Sequence, residues 1–267
     1  MEILFSLFTG SRTPDQIKLP HTVTEEIFDQ KKMYLSSTLD DTIEICYVLK
    51  KNCDSCISYE MFDWNTGQYI LSSTTFDYGR SFVISNIENC HERKCSIEPN
   101  EMNINYLGKV IRNDFLGLSY SIYNHAESKL CTVDFKASIS SCPLSFRIRL
   151  HSQLSMNEGL KSRGFNSYFQ VPMKDNNDGD DEILSTRPPV FNTEVNTFLT
   201  NFGGRIKQAS FANCVVTSSL DNYKICIRHG KISNEKYIFD YRSSSLSKVV
   251  AMGIFTTIHI QKIFVAI

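Results

Sequence analysis

The sequence predicts a mostly β protein whose strands surround one apolar helix at the C-terminal end. First, β-branched and aromatic runs recur from Thr42 to Leu150 at intervals of roughly 8–12 residues, with turn residues between them. Second, Asn65-Thr-Gly67 separates two such runs, and glycine supplies the positive φ that a tight hairpin needs. Third, Leu246–Ile260 is apolar on nearly every side, which is typical of a helix buried all round.

The predicted strands follow one another with polar loops between them, as in a sandwich or barrel. In chain order they are Ile43–Leu49, Tyr59–Asp63, Gln68–Leu71, Phe82–Ser85, Met102–Val110, Leu118–Tyr123, Leu130–Phe135 and Phe146–Leu150. Residues 1–40 have no sustained period and contain Pro14 and Pro20, so we expect a short, partly disordered extension with a helix at Thr24–Tyr34. The folded domain is then 41–267.

The apolar C-terminal segment has three interpretations: a membrane anchor, a buried strand, or a helix inside a ring of strands. Only ten uncharged residues separate Lys248 from His259, whereas a bilayer requires about 20. Val, Ile and Thr are frequent here, as they are in strands. A helix enclosed by strands accounts best for apolar residues on every side.

Composition limits the classes of partner and compartment. The formal net charge is -1 over 267 residues, so any anion-binding surface must be a local patch, and nucleic-acid binding is disfavoured. Ile3–Phe8 is too short for a secretory signal, and no Asn-x-Ser/Thr sequon is present. The nine cysteines are scattered rather than set in a compact framework, so we expect a cytoplasmic protein.

Four blocks in the last third of the chain carry a family resemblance. They are Pro188-Pro-Val-Phe-Asn192, Asn201-Phe-Gly-Gly-Arg-Ile-Lys-Gln-Ala-Ser210 with Asn213, His229-Gly-Lys-Ile232 and Tyr237-Ile-Phe-Asp-Tyr241. In this order and near this spacing they resemble the signature of the tubby C-terminal domain family. The apolar helix follows where that family has its own.

The N-terminal half is collinear with the same family. Tyr106-Leu-Gly-Lys109, Phe115-Leu-Gly117 and Tyr120–Tyr123 resemble the family's Tyr-x-Gly-Lys-Leu-Arg-Ser-Asn-Phe-Leu-Gly and its following strand, with one residue inserted. Phe62–Gly67 lies where the family has its first hairpin. The resemblance covers about 41–267 and implies a closed antiparallel twelve-stranded β-barrel filled by a central hydrophobic C-terminal α-helix.

The resemblance also implies a function. Tubby-type domains bind phosphoinositides, above all phosphatidylinositol 4,5-bisphosphate, and act as adaptors in membrane-protein trafficking or signalling. It therefore predicts a peripheral, non-enzymatic, monomeric module at the plasma or ciliary membrane. The family's dense Lys/Arg run is replaced here by Ser72–Arg80, which carries one cation, and its second contact falls on Arg112. The implied lipid-binding residues are Arg80, Lys109 and Arg112.

Two alternatives to lipid binding stay open. Arg80 and Arg112 can be ordinary solvated cations, in which case the barrel has lost its lipid site and serves as a protein-protein interaction module. The pairs Arg147/Arg149 and Arg205/Lys207 each flank an isoleucine, so a strand would put both cations on one face. A rebuilt patch and a polar outer wall are both consistent with that pattern, and the polar wall is favoured.

The cysteines raise the question of a metal. Cys53-x-x-Cys56 and Cys90-x4-Cys95 could supply four thiolates to zinc, although reduced thiols are the default and a disulfide is a third option. No metal is favoured and no cofactor is expected. The sequence contains no nucleophile elbow, phosphate-cradling loop or His-Glu-x-x-His, so we predict no catalytic residues and no enzyme.

Overall fold

The β-branched and aromatic runs form strands in the computed structural model, which describes residues 31, 34, 41–52, 56–75, 79–88, 103–136, 144–151, 182–188, 190–192, 197–199, 202, 204–219 and 224–265. The strands are β1 (Ile43–Glu44), β2 (Cys46–Asn52), β3 (Ile57–Asp63), β4 (Tyr69–Thr75), β5 (Ser81–Ser85), β6 (Tyr106–Arg112), β7 (Ser119–Asn124), β8 (Lys129–Phe135), β9 (Phe146–Leu150), β10 (Glu182–Thr186), β11 (Val190–Asn192), β12 (Thr197–Leu199), β13 (Cys214–Ser218), β14 (Ile225–Lys231) and β15 (Lys236–Arg242).

The main sheet closes on itself. Its order is β1-β15-β14-β13-β10-β9-β8-β7-β6-β5-β4-β3-β2, and β15 also pairs with β2. The pairing of β15 with β2 is the seam that closes the ring. The two-residue β1 also pairs with β15 and only extends this seam, so the remaining twelve strands form a closed antiparallel ring. This confirms the predicted twelve-stranded barrel. Strands β11 and β12 form a separate two-stranded sheet.

One helix, α1 (Lys248–Val265), fills the ring. The Ser247 hydroxyl accepts a hydrogen bond from the Val250 N–H at 3.3 Å, so a serine caps the first turn and sets the helix start. Phe255 and Ile258 are fully buried in the core that the strands enclose. At Gly253 an added Cβ would lie 2.6 Å from Ile122 Cδ1, so glycine allows the helix to approach β7 closely. The predicted central helix is confirmed.

The first hairpin forms as the sequence predicts. Gly67 adopts a φ of 69°, and its N–H donates to the Asp63 carbonyl at 3.0 Å. The Asp63 carboxylate also accepts the backbone N–H groups of Asn65 and Thr66, which holds the turn from both sides. These hydrogen bonds lower the pKa of Asp63.

The two predicted cation pairs differ in outcome. Arg147 and Arg149 are exposed on β9 while Phe146 and Ile148 are buried in the core, so the two arginines belong to a polar outer wall. The strand expected around Arg205 and Lys207 is wrong, because 205–207 is irregular. Its backbone is held instead by a hydrogen bond from the Lys207 N–H to the Lys231 carbonyl at 3.3 Å.

Of the segment before residue 41, the structure describes Lys31 and Tyr34. Both are helical; Lys31 is 1% exposed and Tyr34 packs against the barrel core. The Lys248 ammonium lies 5.9 Å from the Tyr34 ring centre. The rest of the predicted helix at Thr24–Tyr34 lies outside the described residues. No helix in the described part of the chain is long and apolar enough to cross a membrane.

Candidate functional site

Arg80 and Arg112 are neighbours at one end of the barrel. Arg80 immediately precedes β5, Arg112 ends β6, and the Arg112 N–H donates to the Arg80 carbonyl at 3.3 Å. The β5–β6 register explains this, since Ser81 pairs with Ile111 and the next pair outward joins the two arginines. Two of the three predicted lipid-binding residues are therefore adjacent although 32 positions separate them in the sequence.

Both arginines continue the inward-facing rows of their strands. Side chains alternate across a strand, and Phe82 and Val110, two positions from each arginine, are buried in the core. Beyond the last core layer the same rows reach the rim, where Arg80 is exposed and Arg112 half-buried. Arg112 pairs with Tyr120, and burial raises the pKa of Tyr120 to about 12, so this neighbouring hydroxyl remains uncharged. The pair lines the mouth of the barrel.

Lys109 lies elsewhere. It is on the outer face of β6, where it forms an ion pair with Glu127 and its ammonium sits 5.8 Å from the Tyr123 ring centre. Alternation places it on the opposite face of the strand from Arg112. The structure thus brings together Arg80 and Arg112 and leaves Lys109 on the side wall.

The turn beside Arg112 exposes two large apolar side chains that the sequence analysis did not assign to a site. Phe115 is 90% exposed and Leu116 is 65% exposed. Asp114 and Gly117, which bracket them, are turn residues, and this is the sequence signal that could have marked a hairpin tip. Gly117 has a φ of 68°, which glycine adopts without strain.

A second group of motif residues lies on the outer wall, where the chain closes the barrel. The Arg205 guanidinium forms an ion pair with Asp240, whose side chain is 1% exposed, and lies 5.6 Å from the Trp64 ring centre. Asn213 holds the same segment, because its Oδ1 accepts the Lys231 N–H and its Nδ2 donates to the Gln208 carbonyl, both at 2.9 Å.

Comparisons with known proteins agree with this architecture. A family model described as the Tub family matches residues 140–258. Tubby protein homolog 1 of Caenorhabditis elegans is 37% identical over 76 residues, covering 28% of this chain and 18% of that protein. Human Tubby-related protein 1 is 21% identical over 168 residues (55% and 31%), and mouse Tubby-related protein 3 is 20% identical over 155 residues (51% and 34%).

The chain is tubby-like over residues 140–258. It matches between 18% and 34% of the length of these three relatives, so likeness to them concerns one region of each. The family model covers the closing segment and the start of the central helix, where the sequence motifs are densest.

In this tubby-like barrel the signature residues build the closure of the fold. An added Cβ at Gly230 would lie 1.9 Å from Ile206 Cδ1, so the glycine of one motif leaves room for the isoleucine of another. Arg205 and Asp240 likewise join two motifs through their ion pair. These roles are structural, and the candidate ligand site at Arg80 and Arg112 lies apart from them.

The cysteines of the predicted zinc site are described only in part. Cys56 is disulfide-bonded, a state in which its sulfur is not a thiolate ligand. Cys53, Cys90 and Cys95 lie outside the described residues. Within the described ranges no group of three or more His, Cys, Asp or Glu side chains is placed to hold a metal ion. Cys46, Cys131, Cys214 and Cys226 are buried, reduced cysteines.

Proposed function

We propose that this tubby-like protein is a non-enzymatic, peripheral membrane module that binds a phosphoinositide headgroup at the mouth of its barrel. The observation that carries the proposal is the pairing of Arg80 with Arg112, whose backbones are joined by a 3.3 Å hydrogen bond. The headgroup expected is that of phosphatidylinositol 4,5-bisphosphate. In this role the module would tether membrane proteins at the cytoplasmic side of the plasma or ciliary membrane.

The chemistry of the pair supports binding of a phosphate group. Guanidinium groups are planar and donate two parallel hydrogen bonds to phosphate oxygens, which makes arginine better suited than lysine to this ligand. Near an anionic membrane each cation contributes about 1 kcal/mol. Two arginines therefore support moderate affinity, weaker than a dense cluster of cations would provide. A net charge of -1 provides no general attraction that could replace them.

The test is flotation with phosphatidylcholine vesicles that contain or lack phosphatidylinositol 4,5-bisphosphate, at about 0.15 M salt to limit unspecific attraction. We expect the wild-type protein to float only with the phosphoinositide. Arg80→Ala and Arg112→Ala should each lower the bound fraction about fivefold, since 1 kcal/mol is a factor of about five. Arg149→Ala removes the same charge from the side wall and should float like wild type.

The same flotation experiment tests whether Lys109 contributes to binding. Because Glu127 pairs with it on the outer face of β6, we expect Lys109→Ala to reduce flotation less than Arg112→Ala. An equal loss for both variants would extend the site onto the side wall. Equal flotation with both vesicle types, or none, would reject the proposed function.

A second candidate function is a protein-interaction module, which the outer-wall aromatic cluster favours. Tyr47 stacks on Phe62 with ring centres 5.2 Å apart, and Trp64, which is 37% exposed, meets Tyr47 edge-on at 6.0 Å. The Lys236 ammonium lies 4.2 Å from the Tyr47 ring centre. Aromatic residues are enriched at protein interfaces. A photocrosslinking amino acid at position 64 should capture a partner in cells that one at Lys129 does not.

A further inference from the structure

The hairpin tip between β6 and β7 carries the most exposed large apolar side chain of the described residues. Phe115 is 90% exposed and Leu116 is 65% exposed. The other exposed large apolar side chains of the described residues are each less exposed than Leu116. A soluble protein gains nothing by keeping two adjacent apolar side chains in water at a turn. Such a pair is typical of a surface that another apolar phase covers.

The tip is a rigid turn. The Asp114 carboxylate accepts the Leu118 N–H at 2.9 Å, and the Asn113 N–H donates to the Ser119 carbonyl at 2.8 Å. Ser119 in turn donates its hydroxyl to Asp134 at 2.7 Å, which fixes the base of the turn to β8. Since the hydrogen bonds hold the backbone on both sides, Phe115 and Leu116 are presented outward in a fixed conformation.

The same end of the barrel carries a third exposed apolar side chain. Phe211 is 63% exposed, and its carbonyl accepts the Leu144 N–H just before β9. Backbone hydrogen bonds continue around the rim, from Phe135 to Leu118 and from Lys136 to Ser145. With strands about 4.8 Å apart, Phe211 lies roughly 14 Å around the rim from the base of the β6–β7 tip.

Cations accompany these apolar residues. Lys136 follows β8 and Arg187 follows β10 at the same rim, and both are exposed. With Arg80 and Arg112 they form a group of four cations on the described part of this rim, beside the carboxylates of Asp114 and Asp134. An apolar tip within a cationic rim complements a bilayer whose surface is anionic and whose interior is hydrocarbon.

We propose that this end of the barrel inserts into an anionic bilayer, with Phe115 and Leu116 entering the hydrocarbon and the rim cations contacting the headgroups. The inference rests on the proposed function for the orientation of the protein and adds a second, apolar contribution to binding. Phe115 is three positions from Arg112, a span of at most about 10 Å. The headgroup layer is about 5–8 Å deep, so a tip that projects most of this distance can reach hydrocarbon while Arg112 stays at the phosphates.

The first test separates the apolar contribution from headgroup recognition. The double variant Phe115→Ser/Leu116→Ser should float at least tenfold less with phosphatidylcholine vesicles containing phosphatidylinositol 4,5-bisphosphate. Its affinity for soluble inositol 1,4,5-trisphosphate, measured by calorimetry, should equal that of wild type. Ile183→Ser replaces a 41% exposed side chain on the wall and should change neither measurement.

The second test measures depth. Trp64, the single tryptophan of the chain, lies in the β3–β4 turn at the opposite end of the strands, so its fluorescence should not be quenched by brominated acyl chains. A Phe115→Trp variant should be quenched in the same vesicles. An unchanged melting temperature for each variant confirms that the exposed substitutions leave the barrel folded.

The outcomes are distinct. If the double variant floats like wild type, or if Phe115→Trp is not quenched, the insertion is wrong while headgroup binding at the arginines stands. If wild type binds phosphatidylserine vesicles as well as phosphoinositide ones, phosphoinositide selectivity is wrong, and quenching at position 115 still decides the insertion. If wild type binds neither vesicles nor soluble headgroup, both proposals fail. Contact with a protein partner then remains as the explanation for the exposed tip.

Discussion

His125 shows how a single side chain links burial to pH. It lies in the turn between β7 and β8 and is 2% exposed. Burial, with a smaller contribution from the charge of Lys31, lowers the pKa of His125 to about 4. In the unfolded chain a histidine titrates near 6.5. Between these two pH values the unfolded state binds a proton that the folded state excludes.

The barrel should therefore lose stability as pH falls from about 6.5 toward 4, because protonation favours the unfolded chain in that window. In His125→Gln this contribution is absent, so the decrease in the free energy of unfolding between pH 7 and pH 5 should be smaller. Urea denaturation at both pH values measures it. A decrease equal to that of wild type would contradict the effect of burial at His125.

At the level of single residues the sequence identified the arginines but not the apolar tip. The family motif identifies Arg112, and its contact with Arg80 requires only that β5 and β6 pair. The motif contains Phe115 but does not show that it is exposed, because sequence alone does not distinguish an exposed phenylalanine from one in the core. The family motif places Lys109 and Arg112 in one site, although three positions along a strand put them on opposite faces.

The loop 204–210 and strand β14 fit together through Gly230. An added Cβ there would lie 1.9 Å from Ile206 Cδ1 and 2.3 Å from its Cγ1, so the isoleucine must move to admit it. We expect Gly230→Ala to cost about 1–3 kcal/mol of stability, the usual range for overpacking. In the presence of Ile206→Ala the same substitution should cost less, because the space is vacated.

A double-mutant cycle in urea tests this fit, with an expected coupling of about 0.5–3 kcal/mol. Additive effects would show that Gly230 is required for another reason. The main alternative explanation is a backbone effect, since glycine also differs from alanine in conformational entropy.

At the level of elements, the eight predicted strands are all present because each is a local pattern of β-branched and aromatic residues. The strand expected at Arg205–Lys207 is absent because its cations and isoleucine have other partners: Asp240 for Arg205 and the space above Gly230 for Ile206. Alternation along three residues is too short to overcome such contacts. Tertiary contacts thus override a local strand pattern in the segment that closes the barrel.

At the level of the whole molecule, the helix is the core of the barrel. Phe255 is fully buried and its ring contacts those of Tyr59, Tyr237, Phe239 and His229, with centre distances of 5.4–6.0 Å. We expect Phe255→Ala to destabilise the protein by about 3–5 kcal/mol, because the cavity faces several strands that cannot collapse onto it.

Chemical denaturation of Phe255→Ala, followed by both circular dichroism and Trp64 fluorescence, checks this expectation. The two probes should report one shared transition, since strands and helix depend on each other. Phe255→Leu, which retains most of the volume, should cost less. A helix that could be weakened without affecting the strands would give separate transitions.

The closed ring was not predictable from periodicity, because closure depends on the register between β15 and β2. That pairing joins distant parts of the chain, and no local pattern encodes it. The apolar helix gave the one independent indication, since a helix apolar on all sides needs strands on all sides. The number of strands came only from the family resemblance.

The seam has a consequence for the timing of synthesis. Thr42 and Ser243, whose hydroxyls lie 2.8 Å apart beside the seam, are separated by 201 residues. At about 5–20 residues per second a ribosome needs roughly 10–40 s to make that span. During this interval the first strands have no closing partner and no helix to surround, so the growing chain presents bare sheet edges to other chains. A barrel closed by β15 depends on protection of those edges until that strand has been made.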